Sequence, residues 1–366
     1  MIVRLEDVCE ILDSKRVPIT AKDRVFGPYP YYGANGVQDY VAEYIFDDEL
    51  VLLAEDGGHF GSTDKPIAYR VSGKCWVNNH AHVLKPKECI DVDYLCYSLM
   101  FRDVSDIVNG ATRQKLTQAD MRRIEIPLLS IKEQKTVVAQ ISKVFELISL
   151  RKQQLAKLDE LVKARFVELF GDPVSNPKGW KTDKAEKHID LLSGFPFDSS
   201  QYTESGVNIC GGLIIMPQRI DWNDCKHWCS IEGYEEYTLK ENDIVMALDR
   251  PWISEGFKVA MLDAEHLPAL LIQRTARIRA IDIDQRYLMY CFLLGGFDKH
   301  CNVTGSLVPH ISAKDIRSFS IMLPPLELQE QFAAFVEQTD KSKSSIQQSL
   351  DKLETLKKSL MQKYFG

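Results

Sequence analysis

The chain has 366 residues, 45% of them hydrophobic and 10% aromatic, with a formal net charge of −7. That length accommodates two domains with real cores, and the acidic balance argues against indiscriminate nucleic-acid binding while leaving a basic face open. No run of eighteen apolar residues and no signal-peptide core occur, so a soluble, cytoplasmic protein with no membrane contact is expected, and nine scattered cysteines point to reduced thiols.

Residues 1–126 read as a mixed α/β domain. Leu5–Leu12 has helix-like spacing, and Phe26–Tyr44 is a turn-rich aromatic segment broken by Gly33 and Gly36. Apolar runs at Leu50–Ala54, Ile67–Val71 and Trp76–Leu84 predict strands, and Asp93–Phe101 predicts a short amphipathic helix. The loop Gly110–Thr117 leads through Ile124–Ile126 into residues 127–171, which predict one long helix. Ser130 is its N-cap, with Glu133 completing a capping box, and Phe170-Gly171-Asp172-Pro173 ends it. Between these signals Ile141, Ile148, Leu155, Val162 and Leu169 recur every seven residues, the period of a coiled-coil seam.

The chain then repeats itself. Residues 178–322 form a second mixed domain and residues 323–366 a second long helix, in which Ile346, Leu353 and Leu360 keep the heptad spacing. P-L-L-S-I-K-E-Q at 127–134 is matched by P-P-L-E-L-Q-E-Q at 324–331, which puts Glu327 in place of the capping Ser130 and predicts a looser start. Within the domains, Glu49–Glu55 corresponds to Asp243–Asp249, Asn78–Leu84 to Ile272–Ile278, and Gly110–Thr117 to Gly305–Ser312. The middles diverge, as in a fixed frame carrying two different heads. The predicted fold is α+β, with two mixed α/β domains separated by two long helices. These form an antiparallel coiled coil within one chain, with an internal pseudo-two-fold repeat. Lys152, Asp159, Thr339 and Lys343 interrupt the apolar seam, either fixing its register or lying outside it.

This order of domain, capped helix, domain and helix resembles the specificity subunit of type I restriction–modification systems. The helix starts carry the resemblance, with the loops G-A-T-R-Q-K-L-T and G-S-L-V-P-H-I-S before them and Phe-Gly after each helix. Y-Y-G-A-N-G, A-E-D-G-G and N-N-H-A-H-V-L are similar to one class of target-recognition domain. The resemblance spans essentially the whole chain. It implies that each domain reads one half of a split site on double-stranded DNA and that the helices act as spacer. It also implies two methyltransferase subunits and ATP-dependent restriction subunits as partners. S-adenosylmethionine, ATP and magnesium would then belong to those partners, leaving this chain without a cofactor. The alternatives are a stand-alone bivalent DNA-binding regulator and a coiled-coil adaptor.

Motifs for catalysis are absent. Gly57–Ser62 lacks the spacing and lysine of a phosphate-cradling loop, no G-x-G-x-x-G follows a strand, and Asn176-Pro177 is followed by Lys178 instead of Pro-aromatic. The chain is expected to catalyse nothing by itself. No metal site is expected at His80/His82 or at Cys225/His227/Cys229, since neither has a second ligand pair at finger-like spacing.

Candidate DNA contacts in the first head are Tyr31, Tyr32 and Asn35 in the aromatic segment, whose other reading is aromatic cover over a packed loop. Asn79, His80 and His82 follow, the two histidines facing one side of a predicted strand either as satisfied strand residues or as DNA contacts. Arg113 and Lys115 sit in the loop before the first helix, with His310 the equivalent of Lys115 in the second head. Phosphate positioning is their favoured role, a solvated basic loop the other. The second head adds Arg250, Trp252, Arg274, Arg277 and Arg279, since guanidinium groups pair with guanine or clamp phosphate. Strand alternation sets Arg274 apart from Arg277 and Arg279, so at least one of the three is structural.

Overall fold

A computed structural model describes residues 1–62, 64–110, 114–301 and 309–366. The first half of the chain opens with β1 (Ile2–Arg4), α1 (Leu5–Val8) and β2 (Cys9–Ile11). The hairpin β3 (Tyr29–Gly33) and β4 (Gly36–Val41) follows, then β5 (Phe46–Ala54), β6 (Ala68–Val77) and β7 (Ala81–Pro86). Next come α2 (Val92–Met100), α3 (Gln118–Arg122), β8 (Glu125–Pro127) and the 40-residue α4 (Ile131–Phe170).

The second half begins with β9 (Thr182–Lys184), β10 (Ile189–Ser193) and β11 (Val207–Cys210). Then come β12 (Ile215–Met216), β13 (Arg219–Ile220), β14 (Lys226–Trp228) and β15 (Ile244–Ala247). β16 (Trp252–Ile253), β17 (Gly256–Phe257), β18 (Val259–Met261), β19 (Ala269–Leu271) and β20 (Thr275–Ala280) complete the strands of this head. The chain ends with α5 (Gln285–Leu294), α6 (Phe297–His300), α7 (Ala313–Ser318), β21 (Ser320–Met322) and the 40-residue α8 (Leu326–Phe365).

Two compact units result. The first joins residues 1–153 to 346–366, and the second spans 154–345. In the first, a six-stranded mixed sheet runs β2-β7-β5-β6-β3-β4, with only the β3–β6 pair parallel. Leu50–Ala54 reads as one apolar run because β5 is buried on both faces. Val51 and Leu53 join the core that includes Tyr94, Leu95, Val137 and Ile141, while Leu50 and Leu52 face a smaller cluster with Val71 and Val83. In the second unit the order β10-β20-β15-β18 repeats β2-β7-β5-β6, and β9–β21 repeats β1–β8. This head adds a three-stranded sheet, β14-β11-β19, over an aromatic cluster containing Phe197 and Trp228.

Both units close their cores with the long helices. In the first, Tyr364 Oη donates to Gln140 Oε1 at 3.0 Å and Lys152 pairs with Glu354 at 3.0 Å. In the second, Asp159 pairs with Lys343 at 2.5 Å, and Phe166 meets Phe332 with ring centroids 5.3 Å apart. Positions rising along α4 meet positions falling along α8, so the pairing is antiparallel. Ile141, Ile148 and Val162 are buried, whereas Leu155, Leu169, Ile346, Leu353 and Leu360 are half-buried. Lys152, Asp159 and Lys343 thus make ion pairs between the helices, and Thr339 is buried with its hydroxyl bonded to Phe335 O on its own helix.

The structure corrects four local expectations. Leu5–Leu12 holds only one helical turn, because Cys9–Ile11 gives its backbone groups to β7. The aromatic segment is a hairpin turning at Ala34-Asn35, where Gly36 takes φ +111°. Trp76–Leu84 is two strands, interrupted where Asn78 Oδ1 accepts the His80 N–H at 2.8 Å, so His80 precedes β7 instead of lying on it. Lastly, the helix repeat is offset by 195 residues, not the 197 implied by matching Glu327 to Ser130: Ile131–Phe170 corresponds to Leu326–Phe365. Pro325 therefore stands where Ser130 caps α4 through its reciprocal contacts with Glu133 (3.0 and 3.4 Å).

Candidate nucleic-acid interface

The central strand of each head ends in Ala-x-Asp, and that aspartate gathers the basic candidates. In the first unit, Asp56 follows β5 and accepts from His80 Nδ1 at 2.7 Å, while a backbone bridge joins Asp56 to Lys115. Lys115 Nζ reaches the neighbouring Glu55 at 2.9 Å, and the exposed Asn35 donates to Gly57 O at 3.0 Å. In the second unit, Asp249 follows β15 and holds His310 Nδ1 at 2.6 Å and Arg274 Nη1 at 2.9 Å. A bridge joins Asp249 to His310 as its counterpart joins Asp56 to Lys115. Arg274 and His310, both exposed, meet at this one carboxylate, and the exposed Arg250 follows it in the chain. Such an excess of cations at a strand end suits a polyanion.

Beneath the first constellation lies a buried ionic network. His82 is fully buried, with Nδ1 2.6 Å from Asp13 Oδ2 and Nε2 2.9 Å from Leu116 O. Both ring nitrogens of His82 thus meet oxygen atoms inside the fold, which fixes the ring's orientation. Arg16 bridges Asp13 (3.5 Å) and Glu55 (2.5 Å), and Gln118 donates to Asp13 at 2.9 Å. Burial alone would raise Asp13 and Glu55, but hydrogen bonds from His82, Gln118 and Val83 N–H at Asp13, and from Lys115 and Arg16 at Glu55, hold both below the usual carboxylate range. Asp13, Glu55 and His82 offer three ligand atoms within 4.8 Å of one another. Arg16, Lys115 and Gln118 already occupy those carboxylates, so a divalent cation would have to expel two cations first. Cys225, His227 and Cys229 form no such grouping among the described residues.

Several candidates are brought to other places. Tyr31 is buried, its hydroxyl 3.0 Å from Ile19 N, which donates to it. Tyr32 is half-buried beside Tyr69, and Trp252 stacks on Phe257 at 5.0 Å. Asn79 is exposed, and Arg113 lies outside the described residues. Arg277 is buried against Asp190, and burial with the adjacent Arg279 lowers its pKa despite that partner. Arg279 is half-buried and donates to Asp243 at 2.8 Å. Arg277 and Arg279 share a face of β20 as alternation requires, while Arg274 sits before the strand in left-handed backbone at φ +64°.

Sequence reasoning missed the organising acids Asp13, Glu55, Asp56 and Asp249. The matched strand ends at Glu55 and Asp249 carried the signal, had Ala-x-Asp been aligned in both. No helix among the described residues is long and apolar enough to cross a membrane.

Comparison with known proteins agrees with this architecture. The chain is 25% identical over 391 residues to the type I restriction enzyme MjaVIII specificity subunit of Methanocaldococcus jannaschii, spanning 98% of this chain and 90% of that one. It is 37% identical over 134 residues, 37% of this chain and 34% of the relative, to a putative type I restriction enzyme specificity subunit of Haemophilus influenzae. The crystal structure of a type I restriction–modification S subunit from M. genitalium superposes with TM-score 0.65 at 13% identity, covering 100% of this chain and 96% of that one. The family described as "Type I restriction modification DNA specificity domain" matches residues 1–160 and 229–355. With most of its length matched and its two mixed heads set on paired long helices, the chain belongs to the type I restriction–modification specificity family and is a non-catalytic DNA-specificity subunit.

Proposed function

We propose that each head reads one half of a bipartite site on double-stranded DNA and that the paired helices set the gap between the halves. The observation that carries this reading is the repeated Ala-x-Asp constellation. One frame presents His80 and Lys115 in the first head, and Arg250, Arg274 and His310 in the second. A common frame with different side chains is what two half-sites of different sequence require. Two methyltransferase subunits that bind S-adenosylmethionine dock on the helices, restriction subunits that hydrolyse ATP complete the complex, and the assembly works in the cytoplasm.

The test is a head exchange. Residues 1–126 are replaced by the corresponding segment of another family member, and methylated motifs are mapped in cells that also carry the partner subunits. The expected result is one altered half-site, with the gap and the other half-site retained. Alteration of both halves together would sink the reading. A chain that binds DNA but directs no methylation would instead be a stand-alone regulator.

A further inference from the structure

Gln134 and Gln329 are each the fourth residue of their long helix, and both are buried. Gln134 Nε2 donates to Cys89 O (3.0 Å) and Leu129 O (2.9 Å), and its Oε1 accepts the N–H of Asp91 at 2.8 Å. Gln329 repeats this, with Nε2 donating to Pro324 O at 2.8 Å and Oε1 accepting the N–H of Asp284 at 2.9 Å. Asp91 and Asp284 are the N-caps of α2 and α5. A second bolt lies beside each amide. Tyr94 Oη donates to Pro127 O and Tyr287 Oη to Met322 O, both at 3.1 Å. Burial pushes the Tyr94 phenol up to about 12 and the Tyr287 phenol higher still, so both stay protonated donors.

We infer that Gln134 with Tyr94, and Gln329 with Tyr287, are positioning residues that fix the angle between each head and its spacer helix, and so the permitted gap between half-sites. This rests on the reading proposed above. Apolar packing is non-directional and tolerates small rotations, whereas an amide bonded to both the α2 or α5 cap and the short link between strand and long helix has one satisfied orientation. The joint occurs twice, in heads whose middles differ, so it belongs to the shared frame and not to the recognition of either sequence.

The experiment uses the complex assembled with its methyltransferase subunits and duplexes carrying both half-sites, with the gap varied by one or two base pairs. Gln329→Met keeps the volume and removes the hydrogen bonds, Tyr287→Phe removes one oxygen, and Gln134→Met and Tyr94→Phe do the same in the other unit. The expected result is unchanged half-sites, with methylation at wrongly spaced duplexes rising roughly tenfold relative to the correct gap for the glutamine variants. The tyrosine variants, which perturb folding least, should give about threefold. A fall in melting temperature with that ratio unchanged overturns the inference, because the residues would then only stabilise the fold. If the unsubstituted complex already ignores the gap, both this inference and the reading beneath it fail, and that arm is read before any variant.

Discussion

Gly57 and Arg250 hold the same place in the two heads. Each follows the organising aspartate, adopts left-handed backbone (φ +64° and +46°), and donates its N–H to the loop before α3 or α7, at Gln114 O (3.3 Å) and Pro309 O (3.0 Å). Left-handed backbone costs a residue with a Cβ roughly 1–2 kcal/mol that glycine does not pay. Keeping arginine there suggests a use for the guanidinium.

Arg250→Gly tests that use. Relief of strain, less the larger unfolded-state entropy of glycine, should leave the variant about 0.5 kcal/mol more stable by thermal denaturation. Discrimination at one base pair of the second half-site should fall by about 1–3 kcal/mol in competition binding, with the first half-site untouched. Unchanged discrimination would reduce Arg250 to a strained loop residue.

Arg274 and Arg277 should separate cleanly. Arg274 is exposed and pairs with Asp249 at 2.9 Å, so Arg274→Ala should weaken binding to all sequences alike and lower the salt slope by about 1. Arg277 is spent on Asp190 within the fold, so Arg277→Ala should cost about 1–2 kcal/mol of stability, discounted because Asp190 is half exposed to solvent. Half-site preference should not change. Titration of affinity against salt, beside a melting curve, distinguishes the two.

Acid should unlock the network around His82. Asp13 and Glu55 titrate below their ordinary values of 3.8 and 4.5. A depressed folded value stabilises the protein above the unfolded value, and that contribution is lost as pH falls through the folded one. Stability should therefore fall steeply below about pH 4.5, from the ordinary Glu55 value downward. Asp13→Asn should be about 3 kcal/mol less stable at pH 7, where it removes the carboxylate that His82, Arg16 and Gln118 share. The difference should narrow in acid as wild-type Asp13 protonates. Denaturant melts from pH 7 to pH 3 give the comparison; a constant difference across that range would contradict it.

The helices should behave as a ruler. Four residues inserted after Gly171, where φ +82° already ends α4, add slack and should lengthen or loosen the permitted gap with both half-sites unchanged. Seven inserted after Leu155 keep the seam in phase but lengthen one helix by about 10 Å, leaving its partner unmatched. That variant should lose most methylation. Motif mapping in cells with intact partners reads both, and an unchanged gap in each would assign the spacing to the methyltransferase subunits.

Both long helices were legible in the linear sequence because their determinants are local. The Ser130–Glu133 box, the seven-residue apolar period and Phe170-Gly171 lie within a few turns of what they control, and the duplication showed that a partner helix was present. β5 and β15 were legible for a related reason, since burial on both faces writes an unbroken apolar run. The hairpin at Tyr29–Val41 was not, because its aromatic residues earn their strand conformation from neighbours on β6.

Which basic residues stay at the surface was decided only by tertiary structure. His80 and His82 are two positions apart, yet one meets Asp56 at the rim and the other is sealed against Asp13, 69 residues away in sequence. Arg274 and Arg277 part in the same way, to Asp249 and to Asp190. The Gln134–Asp91 and Gln329–Asp284 joints likewise bind residues 43 and 45 positions apart. Periodicity records which face of an element is apolar, but a charge is neutralised by whatever the folded chain brings within about 3 Å, and that partner leaves no periodic trace in the sequence.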